Sequence, residues 1–90
     1  MHERYLEITF RRGKPIAAYL YLPRLENDKS WHVAKESHGL LVDLTEDGRP
    51  IGIEILSPRN VSLTLINEIL AKYSLPLLDS EEVAPLESVV

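Results

Sequence analysis

The chain contains no cysteine, so disulfides, thiolate metal ligation and thiol catalysis are all excluded. Its glycines, four in number, are scattered singly, and no phosphate loop, dinucleotide fingerprint or nucleophile elbow can be assembled around them. Phe and Trp occur once each, which leaves tyrosine as the main aromatic residue. Apolar runs are short, and none approaches the roughly 20 residues that a membrane-spanning helix needs. The opening Met1-His2-Glu3-Arg4-Tyr5 lacks the apolar core of a secretory signal, so the expected location is the cytoplasm.

What is present is an ordinary globular composition, 44% hydrophobic and 27% charged over 90 residues. A chain of that length supports one core. The expectation is a single β-rich domain over residues 1–76, followed by an acidic tail, 77–90, that is either flexible or docked on a neighbouring subunit. A domain this small also gains from burying surface against a second copy, so a homodimer is expected. The net charge is −4, which argues against nucleic-acid binding, since such binding draws its affinity from cationic side chains. Basic residues do gather in Arg11-Arg12-Gly13-Lys14, and a solvated turn accounts for them.

Periodicity supplies the elements. From Tyr5 to Phe10, Leu6, Ile8 and Phe10 alternate with Tyr5, Glu7 and Thr9, the pattern of a half-buried strand. Ile16 to Leu22 alternates likewise, placing Ala17, Tyr19 and Tyr21 on one face. A three-residue loop, Arg11-Arg12-Gly13, would pair Ile8 with Ile16 and gather the aliphatic residues on one side. Val33 among polar neighbours suggests a short edge strand, and Ser37-His38-Gly39 a turn. The strongest local signal is Asp47-Gly48 between Leu40-Val42-Leu44 and Ile51-Ile53-Ile55. With those two as the loop, Leu44 meets Ile51, Val42 meets Ile53 and Leu40 meets Ile55. Beyond Pro58, the stripe Val61, Leu65, Ile66, Ile69, Leu70 and Tyr73 has helical spacing. Ser57, Asn60 and Ser62 all qualify as its N-cap, and Ser74-Leu75-Pro76 ends it. The predicted fold is α+β: a four- to five-stranded antiparallel meander with one C-terminal helix on one face.

Few residues carry chemistry. Asp43 and Glu54 fall on the outer face of the hairpin, where Gly52 opposite Asp43 would leave room for a ligand or hard cation between them. Solvated polar positions explain the same pattern. His2, His32 and His38 show no metal-ligand spacing, so no metal and no cofactor is assigned. Tyr5, Tyr19, Tyr21 and Trp31 suit a protein interface, or they pack inside a covered sheet.

The stretch Gly39-Leu40-Leu41-Val42-Asp43-Leu44-Thr45-Glu46-Asp47-Gly48-Arg49-Pro50-Ile51-Gly52-Ile53-Glu54-Ile55-Leu56 resembles the signature of a small prokaryotic family called domain of unknown function 2283. Ala17-Ala18-Tyr19-Leu20-Tyr21 is similar to an earlier strand of that family, with Ala17 where an acidic residue is usual. The resemblance implies a compact antiparallel sheet with a small helical element and no established activity. Relatives beside toxin-like genes add an antitoxin-like, partner-binding role by analogy. The functional expectation is therefore a non-enzymatic protein-interaction module using Asp43, Glu54, Tyr19, Tyr21 and Trp31. The alternative is a small-ligand or metal-binding protein or enzyme built on Asp43 and Glu54.

Overall fold

The computed structural model describes residues 4–79 and 81. Its strands are β1 (Tyr5–Arg11), β2 (Lys14–Tyr21), β3 (His32–Lys35), β4 (Leu40–Leu44) and β5 (Pro50–Ile55), and its helix is α1 (Leu63–Lys72). The strands form one antiparallel sheet in the order β1-β2-β5-β4-β3. The α+β architecture is as expected, but the order is not that of a simple meander. The second hairpin, β4-β5, turns β5 inward against β2 and leaves β3 at the far edge. Two patterns cause this. Central β5, Pro50-Ile51-Gly52-Ile53-Glu54-Ile55, buries Ile51, Gly52, Ile53 and Ile55, whereas β3 has one half-buried residue, Ala34, and suits an edge.

The first hairpin corrects the three-residue loop. Arg11 pairs with Lys14, so the loop is Arg12-Gly13, and both residues have positive φ, 53° and 76°. That combination is a type I′ turn, whose twist matches the flanking strands. Ile16 is then an extra residue in β2: beyond it Ile8 pairs with Ala18 and Leu6 with Leu20. The shorter loop and the bulge together displace the register by two residues, so the residues from Ala17 onward keep their expected faces, whereas bulged Ile16, expected among the aliphatic residues, is 47% exposed.

The second hairpin repeats the device. Leu40, Leu41, Val42 and Asp43 pair with Ile55, Glu54, Ile53 and Gly52 in the expected register, but Leu44 pairs with Pro50 and Ile51 is bulged. The loop is Glu46-Asp47-Gly48 rather than Asp47-Gly48. Gly48 donates to the Thr45 carbonyl at 3.0 Å, and Thr45 donates to that of Arg49 at 2.9 Å. Gly48 takes φ 86°, the left-handed residue that closes a three-residue hairpin loop. The Thr45 hydroxyl decides between the two loops. It donates to the Asp47 carboxylate and accepts from the Arg49 amide at 3.0 Å, bonds that belong to this wider turn.

Helix α1 begins at the third candidate cap. Ser62 accepts from the Leu65 amide through its hydroxyl, while Ser57-Pro58 opens a separate short 3-10 turn. Its apolar stripe buries Ile66, Ile69 and Leu70 against Ala18, Leu20, Leu22, Leu40, Val42, Ile53 and Ile55, so the core lies between one sheet face and the helix. Leu78 joins that core. Asn67 holds it there, accepting from the Leu78 amide at 2.8 Å and donating to its carbonyl at 3.1 Å. Arg4 donates to the Leu77 carbonyl at 2.8 Å and to that of Pro76. The tail expected from residue 77 onward thus starts as part of this chain's own core, and its residues 80 and 82–90 lie outside the described residues.

Candidate functional site

Because α1 covers one face of the sheet, the other is left bare among the described residues. Register places Tyr5 and Glu7 of β1, Tyr19 and Tyr21 of β2, Gly52 and Glu54 of β5, Leu41 and Asp43 of β4, and Val33 and Lys35 of β3 on that face. Tyr5 stacks on Tyr21 with ring centroids 4.4 Å apart and planes 15° from parallel, and Tyr19 meets Tyr21 edge-on at 4.6 Å. Three tyrosines therefore form one continuous aromatic surface over β1 and β2. The guanidinium of Arg24 lies 5.7 Å from the Tyr21 ring centroid and donates to the Ile51 carbonyl at 2.8 Å, which fixes it at the rim.

Gly52 explains how the tyrosines reach the acidic residues. A Cβ at position 52 would fall 1.8 Å from the Tyr19 hydroxyl oxygen, so the space above this glycine is filled by the Tyr19 ring. Lying across β5, Tyr19 donates to Asp43 Oδ2 on β4 at 2.6 Å. The expectation that Gly52 opens a ligand space between Asp43 and Glu54 is thereby corrected, since that space belongs to the chain itself. Burial raises the Tyr19 phenol above its usual pKa near 10, and the bonded Asp43 carboxylate adds to the shift, while Arg24 opposes it. The phenol therefore stays protonated and acts as donor. Tyr21 donates to Glu7 Oε1 at 3.3 Å, and its pKa is likewise raised, first by desolvation and then by Glu7.

Glu54 faces Tyr19 on one side and Leu41 on the other, and it is half-buried. Asp43 and Glu54 thus share a face, as expected, but Asp43 is engaged by Tyr19. His32 lies in edge strand β3 and His38 in the turn before β4. Among the described residues, no group of three His, Asp or Glu side chains gathers for a metal ion.

Trp31 is not part of the aromatic surface. It is 69% exposed and borders an open hollow of about 600 Å³ at the end of the sheet with Lys29, Thr45, Asp28, Asp47 and Arg49. Arg49 is held there by two carboxylates. Its Nη1 and Nη2 donate to the two oxygens of Asp28 at 2.9 and 2.7 Å, and its Nε to Asp47 at 3.0 Å. These bonds lower the pKa of both carboxylates, with Thr45 contributing most at Asp47 and Arg49 most at Asp28. The cluster fastens the β4-β5 turn to the loop before β3, and its one guanidinium is already neutralised. Sequence reading did not find Asp28 or Arg24, because both lie in the aperiodic stretch after β2 and meet their partners only through the fold.

Searches of family models, curated proteins and solved structures each returned no match. The resemblance to domain of unknown function 2283 rests on the residues of Gly39 to Leu56 and of Ala17 to Tyr21 alone.

Proposed function

We propose that the protein is a non-enzymatic interaction module that binds another polypeptide on the uncovered sheet face. The observation that carries this reading is the preassembled row Tyr5-Tyr21-Tyr19-Asp43, in which packed rings and a partly buried hydrogen bond hold the side chains before any partner arrives. Tyrosine contributes contact area and a polar tip with few rotatable bonds to freeze, which is why interfaces are rich in it. Glu7, Asp43 and Glu54 outnumber Lys35 on the face, so the chemistry favours a segment bearing Lys or Arg, able to meet both carboxylates and ring faces. An antitoxin-like role would be one instance of such binding and draws only on the family resemblance.

The test is selection from a random peptide display library on the immobilised protein. Enrichment of Lys/Arg-containing peptides that lose binding at least tenfold with Tyr21→Ala, and again with Glu54→Gln, supports the reading. Peptides without basic residues, or binding indifferent to both substitutions, overturn it.

A further inference from the structure

The two edges of the sheet are unequal. β3 is four residues long, ends in Lys35 and is followed by Glu36; short length and terminal charge are ways in which proteins discourage pairing at an edge. β1 is seven residues long and contains neither proline nor glycine, and no strand flanks its outer side among the described residues.

The direction of the free backbone groups on β1 follows from one bond. Leu22 donates its amide to the Ile51 carbonyl beside β5, so even-numbered residues along this part of β2 turn their main chain toward β5 and odd-numbered ones toward β1. Tyr19 and Tyr21 are paired with Glu7 and Tyr5, which makes Glu7 and Tyr5 the inward-facing residues of β1. The extra residue of the bulge lies in β2, so alternation along β1 is unbroken, and Leu6, Ile8 and Phe10 direct their N–H and C=O groups outward. Pro15, opposite Phe10, fits this assignment, because proline has no amide to offer there. On the helix side Leu6 and Ile8 are only half-buried, and Phe10 is 49% exposed.

We propose that β1 pairs antiparallel with β1 of a second copy, about a two-fold axis at Ile8, to make one ten-stranded sheet. Full overlap of the strand selects this register. Ile8 meets Ile8, Leu6 meets Phe10 of the second copy, Glu7 meets Thr9, and Tyr5 meets Arg11. Each outward-facing residue then lies opposite another outward-facing residue, which satisfies the ladder with reciprocal bonds. Apolar pairs fall on the helix side. On the other side the Arg11 guanidinium lies against Tyr5 and diagonal to Glu7, an attractive cross-strand arrangement. Centring on Glu7 would instead oppose two carboxylates, and centring on Thr9 would leave Tyr5 and Leu6 unpaired. The contact is isologous and therefore closes at two chains. It is made by the backbone edge of β1 and meets the tyrosine face only at its rim, where Arg11 of the second copy lies against Tyr5 and Glu7, and the mass of the assembly tests it independently of peptide binding.

Light scattering and sedimentation on the full chain test the proposal, with two further variants. The expected mass is that of two chains, falling to one chain in Phe10→Lys with an unchanged circular dichroism spectrum. Opposed hydrogen-bonded residues have Cα atoms about 5.5 Å apart, within disulfide reach. Ile8→Cys, in a chain otherwise free of cysteine, should therefore oxidise to a covalent dimer, whereas Val33→Cys on the opposite edge should not. A single-chain mass over the whole accessible concentration range overturns the proposal. So does a dimer that survives Phe10→Lys, or one that is trapped through Val33→Cys and not through Ile8→Cys.

Discussion

The position of one missing side chain organises the bare face of the sheet. Gly52 has ordinary strand geometry, and its role is steric: it lets the Tyr19 ring cross β5 and reach Asp43. Gly52→Ala is expected to displace that ring and to cost about 1–3 kcal/mol of stability, the usual range for overpacking. In a Tyr19→Ala background the same change should cost less than about 0.5 kcal/mol, so a double-mutant cycle followed by thermal unfolding isolates the contact. The phenol itself makes stability pH-dependent. Its pKa is raised in the fold, so the unfolded chain loses this proton first. The contribution is complete below the ordinary phenol value of about 10 and is lost as pH rises through the folded value. Tyr19→Phe should reduce the alkaline fall in stability, read by chemical denaturation across the pH range, and the raised Tyr21 phenol accounts for part of what remains.

At the scale of elements, both hairpins follow the turn with a bulge after two paired residues, and the helix ends on a residue under strain. Ser74 takes φ 58° while its amide bonds the Ala71 carbonyl and the Leu75 amide bonds that of Leu70 at 2.8 Å, the paired bonds of a Schellman motif. Such a position favours glycine. Ser74→Gly should raise stability by about 0.5 kcal/mol, after the greater flexibility of glycine in the unfolded chain is subtracted, and chemical denaturation will show whether it does. These details also mark where sequence reading succeeds and stops. The alternation of Leu40, Val42, Ile53 and Ile55 fixes which residues share a face, because period two survives any even displacement. It does not separate a two-residue loop from a wider loop followed by a bulge, since both give the same pairs from Asp43 onward. The Thr45 hydroxyl made that choice through bonds invisible to periodicity. Asp43 and Tyr19 were each legible as outer-face residues; their bond was not, because it depends on β5 lying between β2 and β4.

For the whole molecule, the decisive long-range ties join the ends of the described chain. Arg4 at the start of β1 holds carbonyls of Pro76 and Leu77, and Asn67 pairs with both backbone groups of buried Leu78. Asn67→Ala would leave those two groups without their amide partner, at a cost of about 2 kcal/mol, and should accelerate hydrogen exchange at Leu78 well before the amides of β5. No helix of the described residues is long and apolar enough to cross a membrane, and the core is completed by the chain's own C-terminal segment. The placement of Trp31 has a practical consequence. As the sole tryptophan, standing 69% exposed at the end of the sheet, it emits from a watery environment in the folded and unfolded chain alike, so its fluorescence is nearly blind to loss of the core. The stacked pair Tyr5 and Tyr21 supplies the optical signal instead: its near-ultraviolet dichroism exists only while β1 and β2 remain paired.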